Sequence, residues 1–409
     1  MLKRRFFSFI ILLLVLGSFM VYECAWMFAG ADEMASTMSL LGTTSLFPII
    51  LLFFSILYSW RYKVHSLRPI YGSFLLFFVL SYILTVFWAF LFPIESRIVF
   101  ISTLLPFVFW TLGDKMCAQK GREFVSVYVP FCFMGLVLFF FLKFDASFLL
   151  DKEYAAINAS YSVLYFMPFL LISEKRMIRL LAIILTAMVT IASLKRGGMV
   201  SLSMGILAYL WAYSKVVSGR AISVRGIIIV AIVVVALAIV VIRINDSVDG
   251  MIFNRFSSLE NDEGSGRKDI YKGVINMIAN SSPIGLLFGH GWGGVARDSS
   301  FGLSAHNDFL EVIYDFGLIV FFCYILFLYR LIVRMIYMLR YNQRSAPAFL
   351  ASITIFLLNS LVSHIVIYPW YMIMFTLFWS YTVHESVQSN SSTVVLSNEN
   401  RPACISICR

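Results

Sequence analysis

Between Gly289 and Val320 the chain reads GHGWGGVARDSSFGLSAHNDFLEVIYDFGLIV, a polar loop running directly into an apolar segment. Glycines, histidines, carboxylates and an indole gather there in few residues. His306 and Asn307 are separated from Gly317 by nine residues, and Val320 follows three further on. Phe309, Val312, Ile313 and Phe316 share one helical face, and Asp308 with Glu311 three residues on has the form of a capping box, which predicts a helix start at this point. His306 then sits just ahead of a helix N-terminus. The positive end of the macrodipole disfavours imidazolium there and keeps the ring neutral, the form that accepts a proton. A histidine that only hydrogen-bonds a loop carbonyl fits the same pattern.

Two arginines supply the complementary chemistry. Arg196 interrupts an apolar context, with Gly197 and Gly198 after it that let a bulky group approach the backbone. At a membrane boundary its charge must snorkel or meet an anion, so Lys195 and Arg196 are either interface anchors or an anion site. Arg267 offers a planar fork suited to phosphate oxygens, although a solvated loop arginine is the commoner fate. Two guanidinium groups and a neutral imidazole on one face suit displacement of a diphosphate from a lipid-linked sugar by a hydroxyl. That reaction needs neutralisation of the leaving group and proton removal from the nucleophile. His290 and Trp292 of GHGWGG are candidates to line a sugar subsite, Trp292 by stacking on a pyranose; the same glycines also serve a tight turn. No lysine follows them as in a P-loop. His290, His306 and His364 lack paired metal-ligand spacing. The chain has no Asp-any-Asp motif or nucleotide-binding domain, which argues against a soluble sugar nucleotide as donor.

The surroundings of these residues are those of a bilayer protein. Of 409 residues, 60% are hydrophobic and 13% charged, against about half and a quarter in soluble domains. The net charge of +10 lies in short clusters between apolar runs and not on a basic face, so nucleic acid is not indicated as a partner. A membrane-crossing helix needs about 20 mostly apolar residues. On that basis the chain holds about twelve spans, near 6–22, 42–60, 70–93, 98–113, 124–143, 156–173, 178–195, 198–214, 226–242, 317–333, 347–365 and 367–383. The expected class is an all-α polytopic membrane protein with one long periplasmic loop containing short helices. Residues 1–242 hold nine spans, 243–316 the loop, 317–383 three more spans, and 384–409 a Ser- and Asn-rich tail expected to be disordered and cytoplasmic.

Orientation follows from the loops. With a cytoplasmic N-terminus, nineteen lysines and arginines fall inside and five (Arg97, Lys143, Lys152, Lys195, Arg196) in short outside segments. Both termini are then cytoplasmic and the long loop extracytoplasmic. Lys3, Arg4 and Arg5 ahead of the run from Phe6 to Val21 favour an uncleaved first span over a signal peptide. Within the loop, Ile270, Val274, Ile275 and Ile278 predict an amphipathic helix against the membrane surface or the bundle, ended by Pro283. The six cysteines form no disulfide or metal pattern, and Cys404 and Cys408 are at most acylation candidates.

The stretches SLKRGGMV, GRKDIYKGVINMI, PIGLLFGHGWGG and HNDFLEVIYDFGLIV together resemble the O-antigen polymerase and ligase family of bacterial envelope glycosyltransferases. The resemblance runs from Ile191 to Val320. It implies transfer of a glycan from undecaprenyl diphosphate to a sugar hydroxyl at the periplasmic face of the inner membrane, with inversion and with neither metal nor other cofactor. It gives Arg196 and Arg267 the diphosphate, His306 the acceptor hydroxyl, and leaves Asn307, His290 and Trp292 as glycan-binding candidates. Lys195 departs from relatives, which often carry a small or hydroxyl residue there. It adds charge beside the diphosphate or faces lipid. The polymerase, which joins lipid-linked repeat units, is the first reading; the ligase, which hands the finished chain to lipid A core, is the alternative. Whether a chain-length regulator binds stays open. A flippase is the rival of a different class, but such proteins keep charges near the bilayer midplane, where these spans have almost none.

Overall fold

The structure is a computed structural model that describes residues 2–27, 46–60, 63, 68–89, 96–118, 122–144, 158–218, 239, 242–243, 245–246, 249–250, 253, 267–363, 365–366 and 369–399. Among the described residues every regular element is a helix. The first six are α1 (Leu2–Met27), α2 (Leu46–Ser59), α3 (Arg68–Ala89), α4 (Ser96–Ala118), α5 (Arg122–Lys143) and α6 (Ala159–Leu171). They are followed by α7 (Arg176–Ala192) and α8 (Arg196–Tyr213), the latter prolonged by a π turn, Ser214–Ser218. Three short elements come next: α9 (Arg267–Ala279), α10 (Pro283–Phe288) and α11 (Gly294–Asp298). The chain closes with α12 (Asp308–Arg340), α13 (Ala346–Val362) and α14 (Pro369–Glu399). The ninth expected span, 226–242, and the acidic first part of the long loop lie almost wholly outside the described residues, as do Cys404 and Cys408.

Apolar side chains form these helices and also coat them. Among the described residues two helical stretches, Ile70–Trp88 and Asp308–Arg340, are long and apolar enough to cross a membrane. Phe53, Phe131, Leu142, Leu207 and Phe322 all stand exposed. So many large apolar groups facing outward call for an apolar solvent.

The interior is aromatic and tightly interlocked. A Cβ on Gly113 of α4 would overlap Ser380 Oγ and the Leu377 carbonyl of α14, so this glycine lets the two helices meet backbone to side chain. Between α8 and α13, Ser201 Oγ donates to Asn359 Oδ1 at 2.6 Å. Phe77 and Phe74 of α3 meet Tyr324 and Phe327 of α12 at 5.2 and 5.3 Å between ring centres.

Two expectations need correction. The tail from 384 is not structureless where it is described, because α14 continues to Glu399. Packing holds the first turn of this extension: His384 is buried and Nδ1 lies 2.7 Å from Asp114 Oδ1, while Ser386 is bonded by Arg334 and, through its carbonyl, by Gln343. Pro283 does not end the surface helix; it opens α10, with Ser282 as N-cap accepting the Gly285 amide at 3.1 Å. The helix start expected at Asp308 is present, with Asn307 as its N-cap, and the helix runs on through the span expected from 317 after a break at Gly317, whose φ of 75° and ψ of 175° are non-helical.

Candidate functional site

The site is assembled where α7 hands over to α8. Helix α7 ends at Ala192, and Leu194 turns left-handed (φ 53°), which is costly for a side chain of its size. Lys195 then takes an extended conformation as N-cap, and Arg196 opens α8 half-buried. Gly197 faces the end of α13, where a Cβ would press on Val362 at 3.1 Å. A glycine here lets residues 361–363 close onto the turn that carries Lys195 and Arg196.

Those same residues hold the histidine. The Leu361 carbonyl accepts from Asn307 Nδ2 at 3.2 Å and from Tyr271 Oη at 2.9 Å. Tyr271 Oη also lies 3.1 Å from the His306 carbonyl, so its one hydrogen is shared between two acceptors. Tyr271 stands one turn along α9 from Arg267, which brings that arginine to the same place. Asn307 is the N-cap of α12: its Oδ1 accepts the Phe309 and Leu310 amides at 3.0 and 3.2 Å. Proposed as a glycan contact, its amide is therefore engaged at both ends in holding the turn.

His306 itself is left-handed, with φ 51°. Burial, then the charges of Arg267 and Lys195, bring its imidazole down from 6.5 to about 4. Desolvation and two cations thus favour the neutral form, in the same direction as the helix terminus expected from the sequence. Lys195 thus faces the site, and its Nζ also stands 5.6 Å from the centre of the Tyr161 ring.

His290 and Trp292 lie elsewhere. The His290 ring is stacked on Tyr314 at 4.2 Å and 11°, with Trp88 at 6.0 Å on the ring system, and Nδ1 is 3.1 Å from the Tyr314 carbonyl. Trp292 packs on Phe316 at 5.4 Å. Both are held at residues 314–316, about 10 Å of helix rise from the start of α12. The glycines have a structural task there. A Cβ on Gly317 would overlap the Leu287 carbonyl and the Gly289 amide, and the helix break frees carbonyls that the turn then satisfies. The His290 amide donates to Tyr314 O and Asp315 O, and the Gly291 amide to Asp315 O at 2.8 Å. This packing favours the turn over the sugar subsite for His290 and Trp292.

Sequence reasoning missed the role of three carboxylates. Asp308 and Glu311 were expected as a capping box, and they and Asp315 are all fully buried. Asp308 Oδ1 accepts the Ile365 and Val366 amides at 2.9 and 3.1 Å, Glu311 Oε2 accepts the Ala305 amide at 2.5 Å, and Asp315 accepts the Gly293 and Val295 amides at 2.8 and 3.0 Å. Each clamps a different segment to one helix. Their i, i+3, i+7 spacing places them on a single face and was the available signal.

Residues 181–325 match the family model described as O-antigen ligase, which bears out the resemblance to the O-antigen polymerase and ligase family. The match includes Lys195, Arg196, Arg267 and the whole of His306–Val320. No curated protein matches the chain.

Proposed function

We propose that this chain is a surface-polysaccharide polymerase of the bacterial inner membrane that acts at the periplasmic face. The donor is an undecaprenyl-diphosphate-linked oligosaccharide and the acceptor is a sugar hydroxyl of another lipid-linked repeat unit. His306 takes the hydroxyl proton as the oxygen attacks the anomeric carbon. Arg196, Arg267 and Lys195 neutralise the diphosphate as the glycosyl bond breaks, without metal, and attack from the opposite face inverts the configuration. About twelve spans, cytoplasmic termini and an outward loop 243–316 complete the reading. A bilayer is thus a structural partner, and a chain-length regulator is a further candidate. The carrying observation is that Tyr271, one turn along α9 from Arg267, bonds the His306 carbonyl, so that Arg267 and Lys195 act on one imidazole; charge that favours an anionic leaving group also favours an unprotonated base.

Glycan from a deletion strain, separated on a gel after complementation with wild-type or His306→Ala protein, tests this. A single repeat unit on core in both the deletion and the variant supports the polymerase. Long chains accumulating on the lipid carrier transfer the same site chemistry to the ligase alternative. A normal ladder with His306→Ala at wild-type protein level removes the catalytic reading altogether.

A further inference from the structure

We infer that Glu311 is a positioning residue for His306: its buried carboxylate takes the Ala305 amide and so holds the histidine backbone left-handed, with the ring between Arg267 and Lys195. The inference rests on the reading of His306 as the base.

The geometry isolates this task from helix capping. The first amides of α12 are already served by Asn307 Oδ1, and the Glu311 amide makes the ordinary bond to the Asn307 carbonyl at 3.0 Å. Its side chain instead reaches back six residues, past the N-cap, to the residue before the histidine. Ala305 and Glu311 are both fully buried, so water cannot replace the bond. Among the described residues Glu311 Oε1 has no hydrogen-bond partner, a cost accepted for a single contact. A left-handed non-glycine residue is held only where its neighbours over-determine it. Here the preceding amide is fixed by Glu311 and the following carbonyl by Tyr271 Oη, so His306 is gripped from both sides. Asp315 is the natural control, equally buried on the same helix face but bonded to the glycine turn.

The charges that act on His306 are those of Arg267 of α9 and Lys195 before α8, with Tyr271 bonded to its carbonyl, Tyr161 beside Lys195, and the buried acids Asp308 and Glu311 on the helix that follows it. The test uses full-length protein in detergent and in proteoliposomes. Diethyl pyrocarbonate modification of His306, read from its peptide by mass spectrometry across pH, reports its protonation midpoint without turnover; kcat and donor KM are measured alongside. Glu311→Ala is expected to lower kcat on the order of 10²-fold with little change in KM. It is also expected to raise the His306 midpoint from about 4 toward 6.5. Glu311→Gln, which keeps an acceptor of the same reach, is expected to retain both. Asp315→Asn is expected to leave the midpoint in place. If Glu311→Ala does not fold, Glu311→Asp, one methylene short of Ala305, takes its place with the same expected split from Glu311→Gln. An unmoved midpoint in the Ala or Asp variant, or Glu311→Gln as damaging as either, overturns the inference. Activity surviving in His306→Ala instead overturns the reading of His306 as base, while the midpoint still reports on Glu311.

Discussion

The two ends of the segment 306–317 carry similar ingredients to opposite effect. At its start, His306 is left-handed, half-buried and pressed by Arg267 and Lys195. At its far end, His290 is sandwiched by Tyr314 and Trp88, and every polar group named there has a partner, down to the Asp315 carboxylate on two amides. The glycine-rich end spends its polar atoms on closing a broken helix. The histidine end concentrates like charge around its ring, an arrangement that costs free energy unless an anion binds. Composition does not separate the two; the charge brought to each ring does.

The sharpest way to break the comparison is to remove each ring. His306→Ala is expected to lower glycan transfer in proteoliposomes on the order of 10²- to 10⁴-fold with unfolding temperature nearly unchanged. His290→Ala is expected to do the reverse, lowering the unfolding temperature by several degrees with a smaller effect on transfer. Equal activity loss in both would erase the distinction. Arg267→Gln comes next: loss of one of the cations facing the leaving group is expected to cost on the order of 10²-fold in kcat/KM. A wild-type value would place the diphosphate elsewhere. On the glycine side, Gly317→Ala forces a side chain into a left-handed position against Leu287 and Gly289. That strain is expected to cost roughly 1–3 kcal/mol, measured by thermal unfolding.

The smallest effect concerns pH and sharpens the histidine side. Since folding lowers the His306 value to about 4, an unfolded chain binds the extra proton first as acid is added. Stability from this group is therefore fully present above the unfolded value near 6.5 and is lost as pH falls from there toward 4. The acid limb of the activity profile is expected near 4 by the same reasoning. Lys195→Met removes one of the opposing charges and is expected to move that limb upward by a fraction of a pH unit. A limb that stays in place would assign the shift to burial and Arg267 alone.

Much of the scaffold was legible because apolar length is a local property. Where they are described, the runs read as spans are largely helical, with turns at 172–173 and 193–195, and the surface helix at Arg267 was marked by Ile270, Val274 and Ile278. Ile275, included in that stripe, is exposed, and α9 packs on residues of the loop and α12, the bundle alternative of its two expected sites. Lys195 was left open between lipid and diphosphate because a single position cannot show which way a helix start is turned.

By itself the sequence determined the helical class, the residues able to carry charge and protons, and the spacing that groups His306 with Gly317, since these depend on residue type and near neighbours. Only the tertiary structure decided that Lys195 joins Arg267 at the imidazole, that three acids become backbone clamps, and that the glycine turn closes a helix break. Each of these depends on which distant amide or cation arrives at a buried group, and burial decides whether such a meeting is worth anything.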